Sequence, residues 1–500
     1  MDEDLLMLPL KENILALTPP SHGGLIRHAS QLYSIPEDEI LDMSASLNPL
    51  GTPFDHPEYG MDLDSIIARS FERIGQYPDN RYIEFREAAA EFVGNGVTRD
   101  CIIPGNGSTE IIRLVAECIL GPNDSVIIPT PTFAEYGQQC SITGAKVLSY
   151  PVDDILNIPD EMLAKAKIVF VCNPNNPTGK LIPSESILEF ASRCEANETL
   201  LYVDEAFIEL SDISQTVVGE VPNSNYLFVM RSLTKCFAIP GIRMGFGVAS
   251  KEMADLLNAA RLSWNMGAFA EEMSCTLLRM EGGIKSPYLM RSRAFVDMAR
   301  TYLADRLSDI YGFIPLPSEA NYILVDISNL LIDSTELSTR LASHGILVRD
   351  CSSFPTMGGN YIRIAVRPPE ETDRLLYAIG EVLTESGKEY GAGKIRENIA
   401  IASSGKKAVR NTCNYYPCHL HGQDCTFCFC PFYPCKEVKT GGKWIESTTG
   451  TEVWSCEDCT IIHEPETAQK ILEILMEDGG LKESLKKAWD EVIAPVLDIK

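Results

Sequence analysis

Positive charge is scarce in this 500-residue chain. Forty-three Lys and Arg stand against 70 Asp and Glu, giving a net charge of -27 and a pI near 4.7. So acidic a surface repels phosphate backbones, which excludes general nucleic-acid binding. No apolar run approaches the roughly 18 residues that span a bilayer. The start, Met1-Asp2-Glu3-Asp4, is acidic where a secretory leader is basic. The expectation is a cytoplasmic chain with no membrane or nucleic-acid partner. A Gly-x-x-x-x-Gly-Lys-Ser/Thr phosphate loop is also missing, so a kinase has no motif support.

What is present is an ordinary globular composition, 45% hydrophobic and 23% charged. The length exceeds what a single core supports, so two or more domains are expected. Sixteen cysteines divide sharply. Eight stand singly between Cys101 and Cys351, in apolar contexts such as Val169-Phe170-Val171-Cys172 that suit reduced, buried thiols. The other eight crowd between Cys413 and Cys459, and in a cytosolic chain such crowding points to metal before disulfides.

From Cys101 onward, short β-branched runs alternate with helical patterns. The runs are 101–104, 125–128, 145–148, 168–172, 200–203 and 226–230, and helical periodicity covers 81–93, 111–120 and 185–196. This rhythm predicts an α/β fold on a mostly parallel sheet, with ligands at the carboxyl ends of the strands. Polar motifs fall at those ends. Asn173-Pro174-Asn175-Asn176-Pro177-Thr178-Gly179 follows one run, Asp204-Glu205-Ala206-Phe207 the next, and Ser232-Leu233-Thr234-Lys235 the third. An amide, a carboxylate and an amine thus converge. A pyridine aldehyde needs a donor at its phenolic oxygen, an anion at its ring nitrogen and an amine for its carbonyl, and Asn176, Asp204 and Lys235 match those roles.

The same ligand needs a phosphate site and a wall for its ring. Ser232, Thr234 and Arg243 flank Lys235 and suit a phosphate. Gly107-Ser108-Thr109 leads into a helix and offers free N–H groups, although a plain N-cap by Ser108 explains the same residues. Phe133 follows the 125–128 run and can stack on the ring face. Ser21-His22-Gly23-Gly24 reads either as a ligand-facing turn or as a simple surface turn.

Taken in order, Gly105-Asn106-Gly107-Ser108-Thr109-Glu110, the Asn-Pro-Asn-Asn-Pro-Thr-Gly run, Asp204-Glu205-Ala206-Phe207 and the segment Ser232 to Gly245 resemble the fold-type I superfamily of pyridoxal-phosphate-dependent aminotransferases. The resemblance spans roughly residues 20 to 385. It is nearest to the branch holding histidinol-phosphate aminotransferase and threonine-phosphate decarboxylase. It implies a large domain with a mostly parallel seven-stranded sheet between helices, a smaller α+β domain, and pyridoxal 5'-phosphate carried on Lys235. The segments 21–24, 44–51, 133–136 and 238–241 look like the decarboxylase versions of shared loops. Phe207 stands where most aminotransferases carry a tyrosine, and Arg367 adds an arginine beyond the usual carboxylate binder.

What the resemblance implies is decarboxylation of L-threonine O-3-phosphate to (R)-1-aminopropan-2-yl phosphate, a step of cobalamin biosynthesis. The alternative is a histidinol-phosphate-type aminotransferase. By resemblance Arg363 takes the substrate carboxylate, Arg349, Arg367 and His22 lie near its phosphate, and Asn48 joins the substrate set. Tyr77, in Tyr77-Pro78-Asp79, is implied to reach the neighbouring subunit's cofactor phosphate, so a homodimer is expected. A degenerate, regulatory version of the fold is disfavoured, because Lys235, Asp204, Asn176 and Arg363 are all in place.

The expected organisation is an arm over 1–45, a cofactor domain over 46–270, a small domain over 271–385, a Gly/Ser/Lys-rich linker with room for some helix over 386–410 and a cysteine-rich domain over 411–500. In the last, Cys413, Cys418, Cys425, Cys428, Cys430, Cys435, Cys456 and Cys459 are candidate ligands for zinc or an iron–sulfur cluster. Residues 465–500 return to a helical pattern.

Overall fold

A computed structural model describes residues 9–404, 413, 416, 418–477 and 480–499. It divides into two units, Met1–Thr372 and Asp373–Lys500.

The first unit is built on seven strands: β1 (Ile102–Asn106), β2 (Ser125–Thr130), β3 (Lys146–Pro151), β4 (Ile168–Cys172), β5 (Leu200–Asp204), β6 (Leu227–Ser232) and β7 (Met244–Val248). Their spatial order is β1-β7-β6-β5-β4-β2-β3, and β7 alone runs antiparallel to both its neighbours. Every residue of β4, β5 and β6 is buried. Helices cover both faces, so these strands are unbroken apolar runs instead of alternating ones. Val169, Val171, Leu201, Val203 and Val229 face one helical layer, which includes α1 (Ile83–Val93). Phe170, Tyr202, Phe228 and Met230 face the other, which includes α2 (Ser108–Ile119).

β7 leaves no apolar run in the sequence because Gly245 and Gly247 alternate through it. Both glycines are there for close approach. A Cβ on Gly247 would lie 2.3 Å from the Phe228 ring, and one on Gly245 would lie 2.9 Å from the backbone of both Arg231 and Ser108. The missing side chain at Gly245 is what lets the start of α2 sit against the β6 and β7 edge.

A second sheet in this unit is antiparallel. It joins β8 (Ile314–Pro315), β9 (Tyr322–Asp326), β10 (Arg349–Asp350) and β11 (Tyr361–Ala365) in the order β10-β11-β9-β8. Its register sets Arg349 directly opposite Arg363. Of the eight scattered cysteines seven are buried, and Cys118 on α2 is exposed. Burial pushes the thiols of Cys140, Cys194, Cys275 and Cys351 up to about 12.

The second unit begins inside a helix, Pro369–Ser403. The stretch 386–403, expected as linker, is therefore helical, while 405–410 lies outside the described residues. Glycine costs a helix about 1 kcal/mol against alanine, and here tertiary contacts outweigh that cost. Gly391 packs on Phe429, and the buried Asn398 donates to the Thr426 carbonyl at 2.6 Å. A hairpin follows, β12 (Lys443–Glu446) against β13 (Glu452–Ser455), with Trp444 opposite Trp454. The helices Pro465–Leu475 and Leu481–Ala488 close an apolar core with Phe427, Ile462, Ile471 and Ile493. No helix among the described residues is long and apolar enough to cross a membrane.

Candidate functional site

Beyond the carboxyl ends of β4, β5 and β6 lies a cleft of about 590 Å³. Lys235 enters it from the single helical turn Leu233–Cys236 that follows β6. Among the described residues no hydrogen bond or ion pair holds its Nζ, which lies 5.8 Å from the Phe207 ring centre. Burial lowers its pKa from 10.5 to about 8, helped by the charges of Arg363 and Arg243 and opposed by Asp204 and Asp42. A lysine so placed is a better nucleophile near neutrality than one in water.

Asp204, at the end of β5, also faces the cleft and is 3% exposed. Burial raises its pKa to about 6, while the Tyr136 hydroxyl and the Ala206 N–H, both donating to it, act in the opposite direction. Asn176 completes the trio of strand ends. Its Oδ1 accepts from Arg363 Nη1. With that oxygen taken, its amide N–H groups are the part left to offer a ligand.

Ser108, Thr109, Phe133, Thr234 and Arg243 line the same cleft. Gly107, with φ of +79°, is the N-cap of α2, and no side chain caps that helix end. Ser108 is thus the first helical residue, and the N–H groups of this turn have no side-chain acceptor. A Cβ on Gly107 would lie 2.6 Å from Arg243 Nη2. Ser232 sits behind the lining and shares a 2.9 Å hydrogen bond with Thr234.

The opposite wall is cationic. Arg349 and Arg363, 8% and 7% exposed, come from facing positions of β10 and β11. Neither makes a described ion pair with a carboxylate. Arg363 donates to the Ser44 carbonyl at 2.9 Å and packs on Tyr322, while Arg349 donates to Ser353 and to the Ser21 hydroxyl and carbonyl. Burial lowers the Arg349 pKa, and the Arg363 charge lowers it further. The bonds to Ser21 draw residues 18–23 across the cleft, and His22 there meets the buried Glu135 at 2.9 Å. The His22 hydrogen bond holds Glu135 below the ordinary carboxylate range against the opposing effect of burial.

Asn48 and Arg367 lie outside this lining, and Tyr77, expected at a neighbouring subunit's site, is exposed. Asn48 is 1% exposed and donates to Cys236 O, Tyr288 and Ser292, so it clamps the turn that carries Lys235 and does not line the cleft. Arg367 donates to the Asp42 carbonyl at 2.7 Å and lies 3.9 Å from Glu371, outside the lining. Tyr77 is 79% exposed and stacks on Trp264 at 4.6 Å. Ser46 and Glu135 also line the cleft, without having been given a role, and among the described residues the buried Ser46 Oγ has no hydrogen-bond partner. Tyr136 behind them was likewise given no role, though its motif was read. The only sequence signal for it is a polar aromatic just after Phe133.

In the second unit six of the eight thiols fall into two neighbourhoods. Gln423 Nε2 lies 3.1 Å from Cys418 Sγ and 3.5 Å from Cys425 Sγ, with His419 3.2 Å from Cys418 and stacked on His463. Cys430, Cys435, Cys456 and Cys459 form the other, where neighbouring thiols add to the effect of burial in raising Cys430 and Cys456. Among the described residues no three His, Cys, Asp or Glu side chains gather closely enough to hold a metal ion.

Residues 40–379 match the family of class I and II aminotransferases, and residues 405–486 match a cysteine-rich small domain. The chain is 32% identical to threonine-phosphate decarboxylase of Salmonella typhimurium, over 74% of its own length and 98% of that protein. It is 28% identical to histidinol-phosphate aminotransferase of Methanothermobacter thermautotrophicus, over 75% and 98% respectively. The solved histidinol-phosphate aminotransferase of Sinorhizobium meliloti, in complex with pyridoxal-5'-phosphate, shares the fold at a TM-score of 0.65. The likeness covers 75% of this chain and 98% of that one, at 20% identity.

Proposed function

The chain belongs to the class I and II aminotransferase family, and from that premise we propose that it decarboxylates L-threonine O-3-phosphate to (R)-1-aminopropan-2-yl phosphate. The observation that carries this reading is the pairing of Arg349 with Arg363. Like charges directly opposite on adjacent strands destabilise a sheet. Here neither guanidinium has a described carboxylate partner, both are buried, and both face Lys235 across one cleft. A ligand with a carboxylate and a phosphate carries about three negative charges and relieves that repulsion.

The residues present fit pyridoxal phosphate. The glycine cradle at Gly107, the uncapped start of α2, Thr234 and Arg243 suit its phosphate, Phe133 its ring face, Asp204 its ring nitrogen and Asn176 its phenolic oxygen. When bound, the cofactor supplies an aldehyde for the amine and a ring that draws electrons from a bond at the substrate's α-carbon. The protein does the rest. Asp204 would hold a proton on the ring nitrogen, and the Lys235 amine would move a proton to or from the α-carbon. Arg363 grips the carboxylate, Arg349 and His22 grip the phosphate, and residues 18–23 exclude water. Which bond breaks depends on the direction in which the two arginines hold the substrate.

Tyr77, exposed beside Trp264, is proposed to meet the cofactor phosphate of a second copy in a homodimer. Members of the eight tail cysteines are proposed to hold zinc or an iron–sulfur cluster, on the strength of their thiolate chemistry, the metal drawing together thiols that do not gather among the described residues. The second reading, a histidinol-phosphate-type aminotransferase, is favoured by the relatives themselves, which divide between the two activities at 32% and 28% identity. Incubation with threonine phosphate, and separately with histidinol phosphate plus 2-oxoglutarate, distinguishes them. Release of carbon dioxide in the first is expected, and glutamate in the second overturns the proposal.

A further inference from the structure

Asp204 does not stand alone at the end of β5. Its Oδ1 accepts the Ala206 N–H at 2.9 Å, and its Oδ2 accepts the Tyr136 hydroxyl at 2.5 Å. Tyr136 comes from the first turn of the helix Glu135–Thr143 and is wholly buried. Its ring is gripped on two sides, stacked on Phe170 at 4.7 Å and edge-on to Phe133 at 5.6 Å. These contacts hold the hydroxyl between the Asp204 carboxylate, to which it donates, and the Cys172 side chain. The Tyr136 neighbour Glu135 holds His22, so this helical turn touches the ring wall, the ring-nitrogen anion and the segment 18–23 together.

We propose that Tyr136 is a positioning residue that keeps Asp204 ionised and aimed at the cofactor's ring nitrogen. The inference rests on the pyridoxal-phosphate reading above. A buried carboxylate favours its neutral form, and a neutral Asp204 would not keep the ring nitrogen protonated. A phenol that donates to Oδ2 opposes that loss. The other titratable groups around Asp204 do not replace it. Cys172 donates to the Pro174 carbonyl and otherwise neighbours Tyr136, Tyr322 donates to Asn175 O, and among the described residues the Tyr202 hydroxyl has no hydrogen-bond partner. Glu205 is engaged with Arg231, Thr216 and Val217, and Lys235 acts on Asp204 through charge alone.

The test is Tyr136→Phe in the full chain, which keeps both ring contacts and removes only the donor. The Kd for pyridoxal phosphate is measured from visible absorbance across pH, for this variant, Asp204→Asn and the double variant. Tyr136→Phe is expected to weaken retention about tenfold or more, the usual worth of a hydrogen bond to a charged group. It should also move the acid-side loss of affinity to higher pH, with an unchanged melting curve. In the Asp204→Asn background it should add nothing further. A Tyr136→Phe protein with wild-type affinity and an unmoved acid limb overturns the inference, as does an effect that persists in full without the Asp204 carboxylate. A wild-type chain that takes up no cofactor overturns the cofactor reading and this inference with it.

Discussion

The Lys235 amine provides the sharpest quantitative expectation. Its pKa stands at about 8 in place of 10.5, chiefly because burial disfavours the ammonium and then because Arg363 and Arg243 repel it. At pH 7 about one tenth of such amines are neutral, against about one in 3,000 at the ordinary value, a gain of roughly 300-fold in reactive amine. Capture of pyridoxal phosphate by cofactor-free protein, followed by stopped-flow absorbance, should therefore rise with pH and level off near 8. Arg363→Met removes the second-largest cause and should move that bend to higher pH, while Lys235→Ala should show no capture. Between about 8 and 10.5 the unfolded chain keeps a proton that folded Lys235 has released, so the stability of the cofactor-free protein should also rise with pH across that window. A bend near 10 in the wild type, or one that Arg363→Met leaves in place, would refute the burial-and-charge account.

Arg231 is fully buried between Glu205 at 2.8 Å and Glu209 at 2.6 Å. Arg231→Ala strands two carboxylates and should cost about 3–5 kcal/mol by denaturant unfolding, partly recovered when both glutamates are replaced by leucine. Gly107→Ala places a Cβ 2.6 Å from Arg243 at a φ of +79°. It should weaken cofactor retention by dialysis more than it lowers the melting temperature. For the tail, elemental analysis of protein purified without chelator should find zinc or iron bound to the chain, and its removal should lower the unfolding midpoint of residues 373–500. A metal-free, equally stable protein would withdraw the ligand proposal.

Much of the site was readable because its chemistry is local. Asn176, Asp204 and Lys235 each follow a short apolar run, and buried parallel strands end where polar groups are needed. What escaped the sequence depended on contacts between distant segments. β7 was invisible because its glycines answer to Phe228, Arg231 and Ser108. Some helix was expected beyond residue 385, but its extent to Ser403 was obscured by glycines whose cost is outweighed by packing on Phe429 and Thr426. Asn48 and Arg367 resembled substrate groups, yet one clamps the Lys235 turn and the other bonds the Asp42 carbonyl.

By itself the sequence determined the fold class, the amine and its two strand-end partners, because burial pattern and turn chemistry are written within a few residues. Only the tertiary structure decided which charges meet. Tyr136 reaches Asp204 across 68 positions, and Arg349 faces Arg363 only through strand register. The electrostatics of the cleft follow from those distances, which exist only once the chain has closed on itself.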